Sequence, residues 1–333
     1  MKMNDPHRTD RLHALILLSA MAWHSFGVQA ADAPPAPPMA APPAMMAAPP
    51  APVPALVPPA VAIARPAPSE VALVTESLSK FLAQADPATK TVLSKYPDLV
   101  VVQAPRTNSA IVPLLSPGFR AKHDANVEIA RKGDIDVLFM GDSITDFWRD
   151  AGRGDVPNPP RAGKAVFDRY YGAMKVANFG ISGDTTQGVL YRLQSGEGQG
   201  FKPKAIMLMI GTNNTGRNSA PEIAEGIGAV VLEMRKDFPD ARILLLAVFP
   251  RGNPGDPARA TIAEINQKIA KLDDGKNVFY LDIGNKFLNA DSVITTDIMN
   301  DRLHPTEKGY EIWAEAVKEP LAKLMAAAPS PAH

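Results

Sequence analysis

The chain has no cysteine, which removes several chemistries at once. No disulfide can staple the fold, no thiolate can hold zinc, no cysteine can act as nucleophile, and the cysteine-linked lipid anchor of an exported lipoprotein cannot form. An excess of one charge is missing too. The 35 basic residues balance the 35 acidic ones, so no overall field draws the chain to nucleic acid or to an anionic bilayer. Histidine is scarce: His7, His13 and His24 lie near the start and His333 ends the chain, leaving His123 and His304 for the body of the protein. Imidazole ligands for a metal are therefore too few. The acidic residues Asp142, Asp146, Asp150 and Asp155 offer only carboxylates, which read as a solvated loop rather than a cation site. Neither a metal nor another cofactor is expected.

Long apolar runs are also lacking. The run Leu12–Trp23 is too short to span a bilayer stably; with Lys2, Arg8 and Arg11 before it and Val28-Gln29-Ala30 after it, residues 1–30 read as a secretory signal peptide. An exported protein, periplasmic or secreted, with no transmembrane anchor in its mature chain is the expectation. Residues 31–68 are almost all alanine and proline, a composition that disfavours helix and sheet and reads as an extended, disordered linker. Residues 69–132 turn amphipathic, with Val71, Leu73, Leu78, Phe81 and Leu82 at helical spacing, and read as a helical extension. His123 lies there without a motif and reads as a packing or surface residue. Residues 327–333 read as a disordered tail.

From residue 133 to 326 short apolar runs alternate with amphipathic stretches, the pattern of a parallel sheet covered by helices. Strands are expected at 135–140, 174–178, 205–210, 243–248 and 278–281, and helices at about 220–238, 257–272 and 306–325. The fold class is a single three-layer α/β/α domain with a five-stranded parallel sheet. Ligands of such sheets bind at the carboxyl ends of the strands. There the first run opens into Gly141-Asp142-Ser143, the second into Gly180-Ile181-Ser182-Gly183, and the third into Gly211-Thr212-Asn213-Asn214. Asp301-Arg302-Leu303-His304 precedes the last helix. Each piece alone has an ordinary explanation as a turn or cap. Together they supply a hydroxyl, a base, an acid to hold the base, and donors for an oxyanion, which is the set acyl transfer needs.

The blocks Gly141-Asp142-Ser143-Ile144, Asn178-Phe179-Gly180-Ile181-Ser182-Gly183-Asp184, Gly211-Thr212-Asn213-Asn214 and Asp301-Arg302-Leu303-His304-Pro305 resemble the four blocks of SGNH (GDSL) hydrolases. Asp184-Thr185-Thr186-Gln187, Tyr191-Arg192-Leu193 and Pro250-Arg251-Gly252 are similar to the catalytic subunits of the platelet-activating-factor acetylhydrolases within that superfamily. The resemblance implies a flavodoxin-like fold and a serine esterase acting through an acyl-enzyme. It implies Ser143 as nucleophile, His304 as base and Asp301 as its orienting acid. It implies an oxyanion hole of the Ser143 and Gly183 backbone N–H groups and the Asn213 side chain, with Gly183 preferred to Gly180. It also implies short-chain, mainly acetyl, esters of a small molecule, glycan or lipid, and a possible homodimer. Phe147 and Trp148, just after the nucleophile, are candidate pocket walls. The stretch 152–160 reads as an insertion near the site that shapes access.

Other classes fit less well. No Gly-x-Ser-x-Gly elbow surrounds Ser143, which excludes the usual α/β-hydrolase pattern, and no Gly-Lys-Ser or Gly-Lys-Thr follows a glycine-rich loop. An acyltransferase would use the same residues. A non-catalytic carbohydrate- or envelope-binding protein would tolerate losses in the set, and this chain shows none.

Overall fold

The computed structural model describes residues 53–102, 106–154 and 156–327. The expected signal peptide, most of the alanine- and proline-rich segment, and the tail after 327 lie outside the described residues. Five apolar runs form the strands β1 Val137–Gly141, β2 Val176–Asn178, β3 Ala205–Met209, β4 Arg242–Leu246 and β5 Val278–Leu281. They build one parallel sheet in the order β2-β1-β3-β4-β5. The helices are α1 Pro68–Gln84, α2 Pro87–Leu93, α3 Arg120–Lys132, α4 Ser143–Asp146, α5 Lys164–Tyr171, α6 Thr186–Arg192, α7 Ala220–Asp237, α8 Pro257–Ile269 and α9 Glu307–Ala327.

Side chains alternate across a strand, so one residue set faces each layer of helices. Leu138, Met140, Ile206, Leu208, Ile243 and Leu245 pack with α6, α7 and α8 through residues such as Leu190, Ile227 and Ile265. Val137, Phe139, Met207, Met209 and Leu244 pack with α5 and α9 through Val166, Tyr310, Trp313 and Val317. The expected three-layer α/β/α architecture is therefore present, with boundaries within two residues of those read from the sequence for every strand. Helix α7 starts where expected because Ser219 and Glu222 close a capping box, the Ser219 N–H donating to Glu222 Oε2 at 2.9 Å.

The strand order fixes where a site can form. The chain goes from β1 outward to β2, then returns to place β3 on the other side of β1. The carboxyl ends of β1 and β3 therefore border the crevice where the order reverses. Gly141, the last residue of β1, pairs with Met209, the last of β3, so the two following loops leave the sheet side by side.

One expectation needs correcting. The end of the alanine- and proline-rich segment is not a free spacer: the Ala55 N–H donates to Ile111 O at 2.7 Å, and Val61 is buried against α7. Gly228 of α7 makes room for it, since a Cβ there would stand 2.6 Å from Val61 and 2.9 Å from Pro58. Arg65 forks the carboxylate of Glu225, which also accepts the Ile63 N–H at 2.7 Å. Proline removes backbone donors, but Ala55 and Ile63 keep theirs, and with the Pro58 ring and Val61 these dock on a helix cut back to glycine. Helix α1 follows, with none of its residues buried. Among the described residues no helix is long and apolar enough to cross a membrane.

Candidate active site

Ser143 is the first residue of α4, held at the end of β1 by a tight packing of backbones. Asp142 caps the turn by accepting the Ile144 N–H at 3.0 Å. A side chain at Gly141 would strike Met209 O and Thr145 Oγ1 at 2.3 Å, so glycine lets β3 and α4 close on each other. The loop after β2 is fastened to the same helix. Asn178 Nδ2 donates to Thr145 O at 2.8 Å while its Oδ1 accepts the Gly180 N–H at 2.9 Å. A Cβ on Gly180 would sit 2.4 Å from the Asp146 nitrogen. Gly180 thus serves close approach.

His304 reaches Ser143 from the loop before α9. Its Nε2 lies 3.0 Å from Ser143 Oγ and its Nδ1 lies 2.7 Å from Asp301 Oδ2. The spacing of three residues works because Asp301 also organises its own turn: Oδ1 accepts the backbone N–H groups of Leu303 at 3.0 Å and His304 at 2.7 Å. Burial pushes the Asp301 carboxyl up, but hydrogen bonds from the His304 side chain and backbone outweigh it and leave the group below the ordinary carboxylate value. Ser143 and His304 are both buried, at 5% and 7% exposure, so the pair is screened from bulk water without being sealed from it.

Of the groups expected to receive an oxyanion, Gly183 and Asn213 stand on the two neighbouring loops and the Ser143 N–H on α4 itself. Gly183 adopts φ +87°, a left-handed turn that glycine permits. Asn213 follows β3, and its Nδ2 donates to the Asp184 carbonyl at 2.8 Å, which leaves the second amide hydrogen uncommitted. Among the described residues the N–H groups of Ser143 and Gly183 find no acceptor. Behind this wall Arg192, fully buried, binds Asp184 at 2.9 Å, Glu197, and the Phe179 carbonyl at 3.0 Å. His123 closes the network with Nδ1 at 2.9 Å from Glu197; it is a packed residue far from Ser143 in role, as expected.

Two readings change here. Trp148 does not line a pocket; it is fully buried among Phe139, Tyr171, Tyr310 and Trp313. Helix α4 ends in a 3₁₀ turn that swings this ring under the sheet. Phe147 is also buried, its ring edge-on to the His304 imidazole at 5.3 Å and covered by Arg161 at 4.8 Å. It buttresses the histidine rather than walling open space. Nor do Asp142 and Asp146 belong to a solvated loop; Asp150 is half-buried, and Asp155 lies outside the described residues. Asp142 and Asp146 are buried, and Asp146 binds Lys122, Arg149 and the Ser182 N–H. Among the described residues no group of three or more His, Cys, Asp or Glu could hold a metal.

The sequence did not single out Arg149 or Tyr310. Arg149 donates to the carbonyls of Asn178 and Gly180, and Tyr310 donates to Ile144 O at 2.8 Å. Each uses a side chain to hold a backbone carbonyl, and no spacing rule announces such a contact.

Residues 139–312 match the model of the GDSL-like lipase/acylhydrolase family. The chain belongs to that family. It is accordingly a carboxylic ester hydrolase by family. Among its relatives, the platelet-activating factor acetylhydrolase IB subunit alpha2 of Rattus norvegicus is 33% identical over 210 residues, covering 63% of this chain and 86% of the relative. The alpha1 subunit of Homo sapiens is 29% identical over 205 residues, covering 61% and 83%. A solved GDSL-like lipase of Bacteroides thetaiotaomicron is 19% identical with a TM-score of 0.49, covering 62% of this chain and 97% of that one.

Proposed function

We propose that this family member hydrolyses short-chain carboxylic esters, acetyl esters foremost, through a Ser143–His304–Asp301 triad. The observation that carries the reading is the continuous hydrogen-bonded chain from Ser143 Oγ to His304 Nε2 (3.0 Å) and from His304 Nδ1 to Asp301 Oδ2 (2.7 Å). Ser143 Oγ adds to the ester carbonyl as His304 Nε2 takes its proton. The carbonyl oxygen gains the negative charge and is received by the Ser143 N–H, the Gly183 N–H and the free amide hydrogen of Asn213. Collapse of this adduct expels the alcohol, which takes the proton back from His304, and leaves Ser143 acylated. A water molecule, deprotonated by the same imidazole, then releases the acid and restores the serine. Asp301 holds the proton on Nδ1 throughout, so that Nε2 meets the serine unprotonated at the start of each half-reaction.

The acetyl preference is supported by the acetylhydrolase names of the relatives. Export to the periplasm or medium rests on the composition of residues 1–30, and pairing as a homodimer on the resemblance alone. Hydrolysis of p-nitrophenyl esters from acetate to dodecanoate, run beside Ser143→Ala, tests the reading. Rapid acetate cleavage lost in the variant is expected. A long-chain optimum would overturn the acyl preference, and turnover independent of Ser143 would overturn the triad.

A further inference from the structure

The loop after β4 carries an arginine that the reaction as described does not use. Arg251 stands next to the oxyanion side of the site: its Nη1 lies 3.2 Å from Thr212 Oγ1 and 3.4 Å from Thr212 O, and Thr212 immediately precedes Asn213. The loop is anchored on three sides. Gly252 donates its N–H to Arg302 O at 2.9 Å, which ties it to the turn carrying Asp301 and His304. From α8, Arg259 donates to Arg251 O at 2.7 Å and to Gly252 O at 3.1 Å. Arg251 is therefore fixed between the donor loop and the acid–base loop, not waving from the surface. It is half-buried, yet among the described residues its guanidinium pairs with no carboxylate within salt-bridge distance and has only the two weak contacts to Thr212.

A half-buried guanidinium with most of its five donors unspent and no counter-ion is an anion receptor in waiting, because the fork geometry matches a carboxylate or phosphate. Burying it so, when the chain as a whole is neutral, costs solvation that a bound anion would return. A second guanidinium, Arg161, covers Phe147 on the His304 side, so positive charge flanks the reacting pair from two directions. The buried Asp142 carboxyl feels Arg251 but is pushed up to about 7 by burial, so it neutralises Arg251 poorly below that pH.

We propose that Arg251 forms an oxyanion-binding subsite beside Ser143 and selects esters whose acyl or alcohol part carries a carboxylate or phosphate. The inference rests on the esterase reading and narrows it to a substrate class, acylated anionic carriers.

The test compares matched substrates with full-length protein. On the acyl side, p-nitrophenyl hemisuccinate is set against p-nitrophenyl butyrate; on the alcohol side, 1-acetylglycerol 3-phosphate against 1-acetylglycerol. The ratio of kcat/KM for the charged over the neutral member is expected to exceed one on at least one side, to fall about tenfold in Arg251→Gln, as for loss of one charge-assisted contact, and to be largely kept in Arg251→Lys. Which pair responds tells the side and the anion. A ratio that is unchanged in Arg251→Gln, or a wild-type ratio at or below one on both sides, overturns the subsite. Binding of the two acetylglycerols to Ser143→Ala protein, by calorimetry, separates the two readings. Where no Ser143-dependent turnover is seen, tighter binding of the phosphate that is lost in the Ser143→Ala, Arg251→Gln double variant supports the subsite and overturns only the esterase reading, and equal binding of both compounds removes the subsite.

Discussion

The carbonyl oxygen of Asp184 holds the side-chain amide of Asn213 at 2.8 Å. An amide group is planar and carries two hydrogens, so committing one of them to a fixed carbonyl aims the other. Asp184 in turn is held by Arg192 within the core, so a buried ion pair positions a donor at the surface of the crevice. Asn213→Ala is expected to lower kcat by about a hundred- to a thousandfold, the usual loss for one oxyanion donor. KM and the denaturation midpoint should move little, since Asn213 is only part-buried. Steady-state kinetics on p-nitrophenyl acetate decide it; an unchanged kcat would remove Asn213 from the oxyanion hole.

Asp301 does two things with two oxygens: Oδ1 takes the N–H groups of its own turn and Oδ2 takes Nδ1 of His304. In Asp301→Asn the Oδ1 contacts can survive, but the amide hydrogens then face Nδ1 and favour the tautomer with the proton on Nε2, which cannot accept from Ser143. A fall in kcat of roughly a thousand- to ten-thousandfold is expected, with the fold intact by circular dichroism. A loss under tenfold would mean that something other than Asp301 sets the tautomer.

The sheet and the three loops at its edge were legible because they are local: five apolar runs of strand length, the first three followed within two residues by a glycine, need no knowledge of distant residues. The Asp301 to His304 spacing was legible for the same reason. What escaped was long-range. Nothing near Trp148 in sequence shows that Tyr310 and Trp313 will close over it, so its place just after Ser143 suggested a pocket wall where the chain builds core. Asp146 looked like one of a loose group of carboxylates because one of its two cations, Lys122, is 24 residues away on α3 and the Ser182 N–H comes from the loop after β2. The alanine- and proline-rich stretch read as a spacer because composition describes how a segment behaves alone. Gly226 and Gly228, which open the surface of α7 to residues 58–61 and Ala110, belong to another part of the chain.

That docking makes a prediction about where the folded unit begins. Glu225 is fully buried, and without residues 63–65 its carboxylate would keep only Asn108, which donates at 2.9 Å. Arg65→Ala is expected to destabilise the protein by about 1–3 kcal/mol, in the range for a hydrogen bond to a buried charge, moderated by the exposure of Arg65 itself. Deleting everything before Pro68 should cost more, because Val61 and the Ile63 N–H go with it. Urea unfolding of the two variants beside wild type measures this. Equal midpoints for all three would show that residues 53–67 contribute nothing to the fold.

Asp142 offers a test with pH as the variable. One of its oxygens caps Ile144, while Oδ2 is buried with no partner among the described residues, and burial pushes the carboxyl from 3.8 up to about 7. Between those values the folded protein holds a proton that the unfolded chain has already released. Stability from this group therefore falls as pH rises from about 4 to about 7 and is flat above. The gap corresponds to at most about 4 kcal/mol. Asp142→Asn keeps the acceptor for Ile144 and removes the titration. Its melting temperature should match or trail wild type near pH 4 and overtake it progressively up to about pH 7, with the difference constant beyond. Parallel curves for the two proteins from pH 4 to 8 would show that the buried carboxyl does not titrate in this window, and that Oδ2 has a partner, such as bound water, stabilising its charge.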